Sequence, residues 1–125
     1  MTASLLLYTG SIITIGWGVD HIIPATKVVK GFGAISEENK IIILMEWVAE
    51  GLTLCFIGVL VLLTGILGGT ANDVSRIVFR ISAGMLIVMA GWTALTGART
   101  SNIPTKICPF VLTIVAILFV IGSLI

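Results

Sequence analysis

The sequence predicts an all-α fold, an integral membrane four-helix bundle forming a single transmembrane domain over residues 1–125. Three observations predict it. The 125 residues are 58% hydrophobic and only 10% charged, where soluble domains carry about 25% charged residues. Mean hydropathy is +1.20, and a chain this short has too much surface relative to volume to hide such a composition in a core. The apolar residues also gather in four runs, each close to the roughly 20 residues that cross a hydrocarbon core. Lipid is the natural solvent for that surface, so the lipid bilayer is the first expected partner.

The first helix is expected over residues 4–23 and stops at Pro24, whose ring cannot continue a helix. Met1-Thr2-Ala3 has no positive charge and no small-residue cleavage pattern follows the run, so this segment reads as a retained helix. The second covers residues 37–67. Ser36 is a candidate N-cap with Glu37 and Glu38 in the first turn, and the apolar run lasts from Ile41 to Leu67. The third covers residues 73–96, capped by Asn72 and fading at Gly97. The fourth covers residues 107–125, with Pro104 assigned to the loop ahead of it. The longest loop, Pro24 to Ser36, contains Gly31, Gly33, Lys27 and Lys30.

Cation placement gives a direction. Lys27, Lys30, Lys40, Arg99 and Lys106 fall on the side of loops 24–40 and 97–106, and Arg76 and Arg80 fall on the side of the termini. The positive-inside rule therefore places both loops in the cytoplasm and both termini outside. Trp17, Trp47 and Trp92 each lie seven residues from a loop boundary. They share one depth, about 10 Å from the cytoplasmic helix ends, which fits either an aromatic belt or the wall of a pocket. A faint echo between Gly16-Trp17 and Gly91-Trp92 hints at a duplicated hairpin.

Formal net charge is +1, which leaves no basic surface for nucleic acid. Cys55 and Cys108 lack zinc-ligand spacing. Their expected depths differ, which argues against a disulfide, and both read as small apolar residues. No phosphate-binding loop, Cys-x-x-Cys, His-Glu-x-x-His or Gly-x-Ser-x-Gly is present, and a single histidine excludes a bis-His haem within one chain. The chain therefore leans away from an enzyme, and no cofactor or metal is named by it.

What stands out is a set of ionisable residues inside the apolar runs, where each costs about 2.5–3.5 kcal/mol at mid-membrane. Glu46 and Glu50 are four apart and share a helix face with Thr53. Counted from Lys40 they are about 9 and 15 Å deep, so at least one is expected to be paired or protonated. His21 sits near the end of the first helix on the face of Trp17 and Thr14. Beside Glu46 it would form a proton relay, a ligand site or half of a metal site; alternatively it bonds the backbone where the helix ends. Arg80 enters from the opposite side, about 10 Å in, on a face with Ala83, Gly84, Gly91 and Ala94. In a core about 30 Å thick it would come within about 5 Å of Glu50 in depth. A Glu50–Arg80 ion pair, an outward snorkel beside Arg76 and a ligand-binding pair all remain open. The fourth helix carries no ionisable side chain and reads as a lipid-facing or partner-facing wall.

The run from Glu46 to Gly58, following a first helix that ends in His21 and Pro24, resembles the second-helix pattern of the DoxX-like membrane family. The resemblance covers the first half of the chain. It implies a small four-helix bundle, tied in some members to membrane redox or quinone-linked complexes. Arg80 and the Lys27–Gly33 loop do not map onto it.

Three functions follow as expectations. A polar pocket of His21, Glu46, Glu50 and Arg80, with Thr14 and Thr53 and walls of Trp17 and Trp47, would bind a small amphipathic ligand of the quinone or lipid class. A dimeric proton-coupled transporter would use Glu50 as its proton carrier, although the broken paired helices of many transporters are missing. A non-catalytic subunit or assembly partner of a larger membrane complex would use the charged cluster structurally.

Overall fold

The computed structural model describes all 125 residues. The chain is helical throughout: α1 Thr2–Ile22, α2 Ala25–Lys30, α3 Glu37–Leu67, α4 Asp73–Leu95 and α5 Ile103–Leu124, with a short 3-10 turn at Gly97–Arg99. Four of these, α1, α3, α4 (with its 3-10 extension) and α5, are long and apolar enough to cross a membrane.

Local chemistry explains the boundaries. The Ser36 hydroxyl accepts from the Asn39 amide, and the Asn72 carboxamide accepts from the Val74 and Ser75 amides. Each cap satisfies amide groups that the first helical turn leaves free. Gly69, at φ +74°, turns the chain between α3 and α4, a backbone state that costs glycine little. Two expectations are corrected at the ends. The final helix starts at Ile103, not residue 107, so Pro104 lies in its first turn, where the missing proline amide has no helical role. The 24–36 loop contains α2, whose Ala25 and Val29 are buried. Its six residues are too few for apolar periodicity to reveal.

The long helices are arranged in the order α3, α1, α5, α4. α1 packs on α3 and on α5, α5 packs on α4, and α3 meets α4 only sparingly. Small residues make the first of these contacts. A Cβ on Gly18 would stand 2.5 Å from the Gly51 carbonyl oxygen, and one on Gly51 would stand 2.7 Å from that of Gly18. A Cβ on Gly58 would lie 2.8 Å from the Ser11 carbonyl oxygen. Backbones this close leave no room for side chains, the small-residue mode of packing between apolar helices.

On the other flank of α1, Gly10 receives the Phe119 ring and Gly122 receives Leu7. Leu54, Phe79, Leu86, Leu112, Val115 and Phe119 have 0% exposure. α5 is thus a central stave of the bundle, which overturns the expectation of a lipid-facing or partner-facing wall. Its outward face still bears large apolar side chains such as Phe110 and Ile114.

Threonines hide their polarity inside the helices. The hydroxyls of Thr14, Thr53, Thr93, Thr96 and Thr113 each donate to the carbonyl four residues earlier, a bond that leaves the helix intact.

The glycine contacts generate the first prediction. Gly51→Ala inserts a methyl group against backbone and should destabilise the protein by about 1–3 kcal/mol. Gly84→Ala and Gly91→Ala meet nothing within 4 Å and should stabilise it by about 0.5–1 kcal/mol through helix propensity. Unfolding of the purified protein in mixed micelles of increasing denaturing detergent measures all three. Equal effects at the three sites would contradict the packing described.

Candidate functional site

Where α3 and α4 diverge, a cleft of about 570 Å³ opens beside the 3-10 turn. Glu46, Glu50 and Thr53 line it from α3, and Met89, Trp92 and Thr93 line it from α4. Glu46 and Thr53 are exposed on it, and Glu50 is half-buried. The carboxylates enter the cleft because they share one face of α3, while the neighbouring Gly51 faces α1.

Behind Glu50 lies a compact polar cluster. His21 is 5% exposed, and its Nε2 is 3.9 Å from Glu50 Oε1. Its Nδ1 is 2.8 Å from the Trp17 carbonyl oxygen. A carbonyl only accepts, so Nδ1 carries hydrogen and Nε2 of a neutral ring presents its lone pair to Glu50. The His21 ring stacks on Trp47 at a centroid distance of 5.3 Å and meets Trp17 edge-on at 5.7 Å. Trp17 Nε1 donates to Cys108 Sγ at 3.4 Å, and Cys108 Sγ is 4.0 Å from Glu50 Oε1. Cys108 is 1% exposed, and it and Cys55 are free thiols. The indole nitrogen of Trp47 is buried without a hydrogen-bond partner.

The residues picked out from sequence divide into three groups. His21, Glu50, Trp17 and Trp47 come together in the cluster, while Glu46 and Thr53 line the cleft in front of it. Thr14 is buried in the α1 interface, donating to the Gly10 carbonyl oxygen, and does not line the cleft.

Arg80 is elsewhere. Its side chain is exposed, with Nε donating to Ser123 Oγ at 3.2 Å and Nη2 to the Ser123 carbonyl oxygen at 3.4 Å. Its place in the pocket, and an ion pair with Glu50, are therefore corrected. α3 has 31 residues and is about 46 Å long, well beyond the 30 Å used for the depth comparison. Met89, not Arg80, borders the cleft that Glu50 lines, and it lies about 13 Å further along α4. The outward reach is the alternative that fits: Arg80 is exposed and extends to Ser123 near the end of α5.

Cys108 is the residue that sequence reasoning passed over. Its signal was depth: it lies two residues beyond Lys106, at the same end of the bundle as His21, three residues before Pro24. Read only as a small apolar residue, it gave no sign of the helix it would face.

If Arg80 clamps the end of α5, Arg80→Ala should speed amide hydrogen exchange in the peptide around Ser123 by roughly three- to tenfold, the worth of one modest hydrogen bond. Exchange around Glu50 should not change. A change confined to α3 would contradict this assignment.

Neither a family model nor a curated protein nor a solved structure matches the chain, so the functional reading rests on this geometry.

Proposed function

We propose that the protein is a multi-pass membrane protein whose α3–α4 cleft binds a small amphipathic molecule with a hydrogen-bond-donating head. Four helices of spanning length support the membrane placement, as do the many large apolar side chains exposed around the bundle, including Leu5, Phe56, Val88 and Phe110. The direction from cation placement puts the cleft at the cytoplasmic end. The resemblance of the Glu46–Gly58 run to DoxX-like proteins agrees with a small bundle of this kind.

The observation that carries the binding reading is the chemistry of the cleft lining. Ile42, Ile43, Met85, Met89 and Trp92 offer apolar walls around Glu46 and Glu50. Ionised carboxylates only accept hydrogen bonds. The hydroxyl hydrogens of Thr53, Thr93 and Thr96 are already committed to backbone carbonyls, so their oxygens can only accept. No lysine or arginine lines the cleft. Acceptors thus outnumber the donors in the lining, which are the indole N–H groups of Trp47 and Trp92, and the balance favours a head that donates, such as the hydroxyl of a quinol or of a hydroxyl-headed lipid, over an acceptor-only quinone. Within the quinone and lipid classes, this selects the reduced or hydroxylated members.

Two probes of matched shape test the preference. An alkylphenol titrated into the protein in nanodiscs should perturb tryptophan emission saturably, through Trp47 and Trp92. Its methyl ether, which cannot donate, should bind about 5- to 10-fold more weakly, the loss of one hydrogen bond to a charged or strongly polar acceptor. Glu50→Ala, with helix content retained by circular dichroism, should bring the phenol close to the ether. Equal affinity for the two probes, or full phenol affinity in Glu50→Ala, would remove the reading.

A further inference from the structure

We propose that His21, Glu50 and Cys108 form a binding site for a divalent transition-metal ion of the zinc class, set behind the cleft and built from three different helices. His21 Nε2, a Glu50 carboxylate oxygen and Cys108 Sγ all lie within 4.8 Å of one another. His21 and Cys108 are buried, and Glu50 is half-buried. In a tetrahedral zinc site, metal–ligand bonds of about 2.0–2.3 Å place ligand atoms about 3.4–3.6 Å apart. The Glu50–His21 and Glu50–Cys108 separations are 3.9 and 4.0 Å. Loading would contract these two edges by about 0.5 Å and the third, which is at most 4.8 Å, by up to about 1.3 Å.

Three features distinguish this cluster from a chance meeting of polar groups. The first is the histidine tautomer. Nδ1–H is held by the Trp17 carbonyl oxygen, which turns the Nε2 lone pair toward the other two ligands. Metal-binding histidines are oriented in this way by a backbone carbonyl or carboxylate on the far nitrogen. The second is the sulfur. Cys108 Sγ accepts from the Trp17 indole N–H, a contact that points the sulfur toward Glu50 and that would hold a thiolate once a cation is bound. One residue, Trp17, thus orients two of the three ligands.

The third feature is charge. A neutral imidazole, a carboxylate and a thiolate carry two negative charges, which a divalent cation cancels. Burial in low dielectric requires such neutrality. Binding forms three metal–ligand bonds, releases to solvent the water molecules that these ligands replace on the ion, and displaces one proton from the Cys108 thiol to solvent. A mixed nitrogen, oxygen and sulfur donor set suits zinc over the all-oxygen preference of magnesium or calcium. Three protein ligands leave a fourth position for water or for a donor from the cleft.

The site shares Glu50 with the cleft but does not depend on the cleft's occupant. Cys108→Ser separates the two ideas: it should abolish metal binding and leave alkylphenol binding intact. The full chain, purified in mild detergent, is stripped with chelator, loaded with zinc and passed through gel filtration. It should retain one zinc per chain. X-ray absorption at the zinc edge should show one sulfur at about 2.3 Å and nitrogen or oxygen neighbours at about 2.0–2.1 Å.

Replacing zinc by cobalt should give a thiolate charge-transfer band. That band should disappear in Cys108→Ser and persist in Cys55→Ser and Glu46→Gln. Trp17→Phe should weaken binding about 10-fold, the effect of losing an outer-sphere partner. Failure to retain zinc, or a coordination shell without sulfur, would overturn the proposal; the absorption measurement needs no variant, so it stands even if a substituted chain fails to fold.

Discussion

The close crossing of α1 over α3 is the constraint from which the rest follows. With Gly18 and Gly51 backbone to backbone, the two helices cannot rotate about their axes or slide without a clash. His21 lies one turn after Gly18 and so occupies the same face of α1. Its Cβ is 3.0 Å from the position a Cβ on Gly51 would take. Glu50 is the neighbour of Gly51 in the chain. A packing feature that carries no chemistry thereby fixes an imidazole opposite a carboxylate. α5 completes the arrangement from the other flank of α1, where Leu7 against Gly122 and Phe119 against Gly10 set its height and bring Cys108 level with Trp17.

The same order of helices explains the cleft. α1 and α5 occupy the middle of the bundle and meet their neighbours through glycines and close-packed side chains, whereas α3 and α4 are the outer staves and face each other through Glu46, Glu50, Met89 and Trp92. Tight packing on one side of α3 and a gap on the other give Glu50 two environments: a buried cluster behind it and an open cleft before it. In the proposed bilayer, that position makes Glu50 the boundary between a dry interior and a route toward lipid or water. It is also why one residue serves both the proposed ligand and the proposed metal ion.

Much of this architecture was legible in the sequence, because hydropathy and capping are local signals. Ser36 and Asn72 announced their helices, and the Pro24 break fell where the chain turns. The sharing of a face by Glu46, Glu50 and Thr53 followed from helical periodicity alone. Inferences that needed neighbours were right only in part: His21 does meet Trp17 and Trp47, but its carboxylate is Glu50 where Glu46 was expected. An apolar helix looks the same whether it faces lipid or protein, so α5 was misplaced and Cys108 with it. Depth counted along separate helices gave Arg80 and Glu50 nearly the same height. That count left out the length of α3, already read over residues 37–67 and longer than the assumed span, and it could not know that Arg80 would find Ser123 on α5.

His21 is the single histidine and Glu50 one of four glutamates, which makes their separation directly measurable. Solid-state NMR on protein labelled at the histidine ring nitrogens and the glutamate carboxyl carbons should show dipolar dephasing between them, matching Nε2 at 3.9 Å from Oε1. The ring nitrogen shifts should report hydrogen on Nδ1. The dephasing should vanish in Glu50→Gln labelled in the same way and survive in Glu46→Gln. No dephasing in the native chain, or dephasing that persists without Glu50, would contradict the account.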